Sequence, residues 1–423
     1  MGQSKKSTAV ITGAGVVCPI GIGVDSFWQS LMDGRSGIGP FPLLRETPMP
    51  VRFGGYIGDF EPKQHVQPRK SLKVMSREVQ LGFAAAALAV TDAELTRPVT
   101  NPDRFGVVFG SDMIYCELSE LAEVYRNCLV DQEFDFGRWG EQAMSDMNPL
   151  WLLKYLPNMV ACHIGIAHDA RGHNNTITLG EASSLIALAE AVRVIERGHA
   201  DVMITGGTGS RLSMTALMYR GDGDLSHRVD NPIAASRPFD SDRDGIVNGE
   251  GAGAFVLESR SHAEARGARI LVEVAGCGVG HEPRSNGDCE AASGIRRAIT
   301  LALADSQLER GALDHVNARG LSSVAEDAAE ARVISDLLGD VPVTAPKSYF
   351  GSLGAGTGAV EMAASVIAFD RGEVPATMNY ETPDPRCPIN VISGRPKRIE
   401  REAAVVLNQA GTGQAAAVVL SRT

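Results

Sequence analysis

The stretch from Asn174 to Leu185 holds the residues of this chain best placed to do chemistry. A β-branched run leads into the tight turn Gly180-Glu181-Ala182, and apolar periodicity predicts a helix from Ser183 to Arg197. Strand, turn and helix in that order form a nucleophile elbow. Such an elbow holds one side chain at a helix N-terminus, where partial positive charge and backbone N–H groups face an anionic intermediate. Here the side chain is a carboxylate. Glu181 can serve as a general base or fill the place of a lost nucleophile, but it cannot do the acyl-thioester chemistry of a cysteine.

Other constellations are weaker. Asp240, Asp242, Asp244 and Gly245 imitate the start of a calcium loop, but Gly251 stands at the twelfth position, where a bidentate glutamate is required, and Glu250 falls one place early. Cys162, His163, His168 and His173 follow no usual zinc spacing. Gly13-Ala14-Gly15 after a strand lacks a well-placed third glycine and acidic partner for a dinucleotide. No metal or cofactor site is expected.

Short apolar strands ending in glycine, at Ser7 to Val17, Phe105 to Gly110 and Asp201 to Gly207, alternate with predicted helices at 76–95 and 183–197. The polar stretch 258–269 marks a boundary, giving halves 1–260 and 261–423. The second half reads as strand 270–276, helix 289–308, strand 315–318, helix 324–338, strand 341–347 and helix 358–371. It closes with apolar runs 403–407 and 415–420 around a glycine-rich hairpin turn. Alternation in both halves predicts two similar α/β layers packed together, although no sequence repeat relates them.

The chain has 423 residues, 44% of them hydrophobic and 22% charged, with a formal net charge of −11. That balance argues against nucleic acid and anionic membranes as main partners, since both are bound through clustered Lys and Arg. No apolar run approaches the roughly 20 residues of a membrane span. Seven scattered cysteines without a CxxC pair predict reduced thiols, and the expected location is cytoplasmic.

Four stretches resemble β-ketoacyl-acyl carrier protein synthases of the elongating, type II kind, within the thiolase-like superfamily. They are 10–21, 235–253, Ala345-Pro346-Lys347-Ser348, and 379–385. The resemblance runs nearly end to end and implies an α/β fold with a five-layered αβαβα core of two similar halves, normally as a dimer. It also implies a Cys-His-His active site, in which cysteine takes the acyl chain and two histidines serve the decarboxylation of the malonyl extender. The matching positions carry Glu181 for the cysteine, Arg319 in Asn317-Ala318-Arg319-Gly320-Leu321 for the first histidine, and Ser352 in the stretch 347–352 for the second. Lys347 and Glu250 are retained. The family's gating phenylalanine matches Ala410 in the loop 409–414.

With the set replaced, the resemblance points to a catalytically silent homologue of the chain-length-factor type. Its expected partners are an acyl carrier protein and an active ketosynthase in a heterodimer, with a homodimer as the other arrangement. The expected role is to shape the acyl tunnel in fatty acid or polyketide assembly. A second reading keeps an enzyme, with Glu181 as the base in dehydration, hydrolysis or decarboxylation of carrier-bound chains; it requires an open apolar pocket and a Glu181 pKa raised by burial. A third is a homodimer that sequesters carrier protein. Ser352 reads as a hydroxyl donor or a small turn residue, and Lys347 as the holder of a site carboxylate or one half of a structural ion pair. If Glu181 and Arg319 face one another, they form a buried pair that plugs the old pocket, each offsetting the other's desolvation. Arg69, Lys70 and Lys73 are a candidate docking cluster for an acidic carrier protein, against the reading of a solvated charged face.

Overall fold

The computed structural model describes residues 7–45, 47–95, 101–283 and 292–423. In the first half the strands are β1 (Ala9–Cys18), β2 (Phe105–Gly110), β3 (Asn174–Ile177), β4 (Val202–Ser210) and β5 (Glu250–Ser259). In the second they are β6 (Val272–His281), β7 (Leu313–Asn317), β8 (Pro342–Thr344), β9 (Ala403–Gln409) and β10 (Gln414–Ser421). The first half has spatial order β1-β5-β4-β2-β3 and the second β6-β10-β9-β7-β8. Both run antiparallel, antiparallel, parallel, parallel along that order. The halves thus repeat one topology without a readable sequence repeat, because a buried strand needs only an apolar β-rich run. Val10 and Ile11 of β1 pair with Glu273 and Val272 of β6, which joins the two into one continuous sheet.

Eight helices matter here: α1 (Arg77–Asp92), α2 (Leu118–Asn127), α3 (Phe136–Asp146), α4 (Met159–His168), α5 (Ser183–Glu196), α6 (Ser293–Ser306), α7 (Val324–Leu338) and α8 (Thr357–Arg371). Helices α5 and α8 pack together between the two halves of the sheet, with Leu188, Val192, Val360 and Ile367 in that shared core. Helices α1 and α4 cover the outer face of the first half, and α6 and α7 that of the second. The result is five layers, αβαβα. Ser76 and Ser323 cap α1 and α7, each accepting a backbone N–H three residues on.

Two expected elements change. The strand predicted over 341–347 stops at Thr344, and Lys347 instead opens the short helix Lys347–Phe350, because Pro346 follows the strand and has no N–H to donate to a ladder. The helix predicted from Cys289 is described from Ser293; residues 289–291 lie outside the described residues. No helix among the described residues is long and apolar enough to cross a membrane, and the six described cysteines are free thiols.

Candidate functional site

Chemistry-bearing side chains collect where the parallel strands of both halves end, the usual place for a site in an open α/β sheet. Glu181 occupies a 3-10 turn, Gly180–Ala182, between β3 and α5. The turn depends on Gly180, which sits at φ +56, and a Cβ there would lie 3.3 Å from the Cβ of Ala410 in the β9–β10 turn. The small residue at 410 therefore lets the elbow and the last hairpin approach. Arg211 directly follows β4, and Arg319 lies two residues beyond β7. Ser352 is held by backbone bonds, its N–H donating to Val247 O at 2.7 Å and its carbonyl accepting from Gly249 N at 2.8 Å.

These elements bring Glu181, Arg319 and Ser352 into contact. Glu181 is 2% exposed. Arg319 Nη2 donates to Glu181 Oε2 at 3.2 Å, and the Ser352 hydroxyl donates to Glu181 Oε1. Arg211 Nη2 stands 3.6 Å from Oε1. Burial by itself would raise the Glu181 carboxyl; Arg211, Arg319, Lys347 and the Ser352 hydroxyl outweigh it and hold the group well below the usual carboxylate range. Burial likewise disfavours charge on Arg319, but Glu326 and Glu181 more than compensate and keep the guanidinium firmly protonated. Arg319 Nη1 donates to Glu326 Oε2 at 2.6 Å, and its backbone N–H donates to Glu330 Oε1 at 2.7 Å.

Lys347 does not reach Glu181. Its Nζ donates to the Arg319 carbonyl at 2.5 Å and pairs with Glu361 Oε1 at 3.0 Å. It therefore fixes the backbone that carries Arg319, and the carboxylate it holds belongs to α8. Glu361 also accepts from Asn408 Nδ2 at 2.9 Å, and burial pushes its carboxyl up to about 8 against the pull of Lys347.

Arg211, Glu326 and Glu361 were not anticipated from the sequence. Only Arg211 left a usable signal, being a charged residue four positions beyond the glycine that ends the apolar strand read over 201–207.

A cleft of about 460 Å³ reaches this cluster. Its wall carries Glu181, Arg211, Asp224, Asp244, Arg319 and Glu326, with Gly411 from the last hairpin turn. Ile246, Leu321, Val324 and Ala325 also line it, so the cleft mixes charged and apolar side chains where the enzymatic reading requires an apolar pocket. The aspartates of the calcium-like stretch are otherwise engaged: Asp240 accepts from Arg237 Nε at 3.0 Å and from the N–H groups of Glu381 and Thr382, and Asp244 accepts from Ser226 Oγ at 2.7 Å.

Comparison with known proteins agrees with this architecture. Residues 6–263 match the β-ketoacyl synthase N-terminal domain family and residues 271–381 the corresponding C-terminal domain family. The chain is 34% identical over 418 residues to a 3-oxoacyl-[acyl-carrier-protein] synthase 2 from Synechocystis sp., covering 96% of this chain and 95% of that protein. It is 32% identical over 417 residues to the synthase of the same name from Vibrio cholerae, covering 96% and 97%. Among solved structures it is similar to a β-ketoacyl synthase from Burkholderia phymatum, with a TM-score of 0.88 and 28% identity over 99% of this chain and 100% of that one. The ishigamide ketosynthase/chain length factor gives a TM-score of 0.86 and 28% identity, again over 99% and 100%. A type II PKS acyl-carrier protein in complex with its ketosynthase gives 0.84 and 27% over the same shares.

Proposed function

Because the chain belongs to the β-ketoacyl synthase family, we propose that it is a catalytically silent member that pairs with an active synthase subunit, in the manner of a chain length factor, and shapes the acyl tunnel at their interface. The observation that carries this is the buried Glu181–Arg319 pair. A general base works when its pKa lies near the operating pH, and a carboxylate held this low by two guanidiniums is a poor proton acceptor. Arginine is no better as a proton carrier, since its guanidinium does not shed a proton. The three positions that match the family's Cys-His-His set thus hold an ion pair and a hydroxyl.

The enzymatic alternative asks for an accessible Glu181 with a raised pKa in apolar surroundings. Here the residue is buried, its pKa is depressed and its cleft is of mixed charged and apolar lining.

Two surface features support partners of the family's kind. Strand β3 lies at the sheet's edge, paired among the described residues with β2 alone, with Asn174 and Asn175 exposed. A free edge of this sort favours extension of the sheet by a second chain. Arg69, Lys70 and Lys73 are exposed on the 3-10 segment Arg69–Val74, suited to an acidic acyl carrier protein. A cytoplasmic setting belongs to the same reading.

The test is mass spectrometry of the purified chain after incubation with acyl- and malonyl-carrier protein, alone and with any co-encoded active synthase. The expected result is no turnover by the chain alone and an altered product length from the mixture. Turnover by the lone chain that Glu181→Ala abolishes would make it an enzyme. Tight carrier binding with no synthase complex would make it a sequestering homodimer.

A further inference from the structure

Strand β7 carries a second buried polar cluster, centred on His315, in the strand that leads to Arg319. His315 is fully shielded from solvent, and both of its ring nitrogens are engaged. Nδ1 lies 3.3 Å from Asp314 Oδ1, and Nε2 lies 3.0 Å from the hydroxyl of Ser365 in α8. The ring packs against Phe369, one turn further along α8, at 5.8 Å between centroids. Asp314 Oδ2 accepts from the N–H groups of Glu400 at 2.7 Å and Arg401 at 3.1 Å, and from Lys397 Nζ at 3.2 Å. The Ser365 oxygen accepts from Asn317 Nδ2 at 2.9 Å, and the same nitrogen donates to the Glu361 carbonyl at 2.6 Å.

These contacts fix where the protons sit. Burial would raise the Asp314 carboxyl, but His315, the Glu400 N–H and Lys397 outweigh it and keep the carboxylate ionised. A carboxylate only accepts, so Nδ1 of His315 carries the hydrogen. Burial lowers the pKa of His315 against the pull of Asp314, and Lys397 adds to the lowering. The ring is therefore neutral at neutral pH, and Nε2 is a bare acceptor. Ser365 gives its proton to Nε2 and a lone pair to Asn317. The Asn317 amide cannot be turned over, since its oxygen would then face the Glu361 carbonyl oxygen at 2.6 Å. Asp, His and Ser in this order resemble a catalytic triad, but Ser365 is 1% exposed and no substrate reaches it.

We propose that His315 is a positioning residue for the site: its bare Nε2 orients Ser365 and Asn317 against Glu361, and Glu361, through Lys347, sets the backbone carbonyl of Arg319. The proposal rests on the Glu181–Arg319 pair described above and names what holds Arg319 in place.

The experiment uses the full chain. Nitrogen NMR of histidine-labelled protein reads the tautomer, with the His315 signals assigned from their loss in His315→Gln. Glu181→Cys supplies the second readout, because a thiol beside Arg319 reports that guanidinium through its thiolate fraction, followed as iodoacetamide labelling of that peptide against pH. The expected tautomer has a protonated Nδ1 and a bare Nε2 at neutral pH. Labelling of the new thiol is expected to slow about threefold or more when His315→Phe or Ser365→Ala is added, half a pKa unit being that factor. His315→Gln, which keeps an acceptor for Ser365, should retain most of the rate. Melting curves check folding, and Ser365→Ala, which removes one oxygen, tests the same link if His315→Phe does not fold. The opposite tautomer, an unchanged rate in both variants, or an equal loss in His315→Gln overturns the proposal. Arg319→Met in the same background separates this from the pair: slower labelling leaves the pair standing, and unchanged labelling brings down the pair and the proposal together.

Discussion

Glu181 and Arg319, 138 positions apart in sequence, meet at 3.2 Å in the interior, both almost wholly shielded from solvent. Each makes the other's burial tolerable. Arg211 and Ser352 complete the shell around the carboxylate, and Glu326 takes the other terminal nitrogen of Arg319.

Breaking this pair from one side should be expensive. Arg319→Met leaves a buried carboxylate short of a counter-charge, and Glu181→Gln leaves two buried guanidiniums short of theirs. Removing one member of a buried pair costs about 3–5 kcal/mol. The double variant should lose clearly less than the sum of the two. Urea denaturation of all four proteins measures the coupling, and additive losses would contradict a working ion pair.

Stability should respond to pH through two groups of opposite sign. Glu361 has a raised folded pKa of about 8. Its contribution is complete below its unfolded value of roughly 4.3 and is lost as pH rises through its folded value. Glu361→Gln should therefore flatten the fall in stability over that window, by up to about 1.4 kcal/mol per pH unit. Glu181 has a depressed folded pKa. Its contribution is present above roughly pH 4.3 and is lost on acidification, so Glu181→Gln should lose less stability than wild type below about pH 4. Denaturation midpoints across pH settle both, and parallel profiles for variant and wild type would refute the assignments.

A cysteine placed at the elbow should be an activated thiol yet a poor condensing residue. In Glu181→Cys the sulfur would lie beside Arg211 and Arg319 at a helix N-terminus, which favours the thiolate and lowers its pKa below the ordinary value of about 8.5. Buried Cys18, pushed up to about 12, supplies the contrast within the same protein. Iodoacetamide labelling followed against pH should show the new thiol reacting near neutrality and Cys18 remaining inert. Condensation should stay absent, because Arg319 and Ser352, and no histidine, donate to the side chain at the elbow; activity regained by the single substitution would be fatal to the silent-subunit reading.

Carrier docking should depend on the basic segment. Arg69→Glu, Lys70→Glu and Lys73→Glu together should weaken carrier-protein binding by about tenfold or more and flatten its salt dependence. Surface plasmon resonance with immobilised carrier protein measures this. Unchanged affinity would make the cluster an ordinary solvated face.

The sequence by itself determined the alternating elements and the elbow, and by resemblance matched Glu181, Arg319 and Ser352 to the family's catalytic positions. Helix α7 falls at its predicted bounds, 324–338, and strand β2 at 105–110, because period and capping are local properties of the chain. The topology common to both halves was hidden, since buried strands of either half need only be apolar, and it became visible in strand order. Tertiary structure alone decided that Lys347 pairs with Glu361, that Arg211 joins the carboxylate, and that Glu181 lies buried beside two guanidiniums at the end of a cleft of mixed lining. These outcomes depend on which strand ends converge and how much water they exclude. Distance and dielectric set the energy of a charge, and neither is written in local spacing.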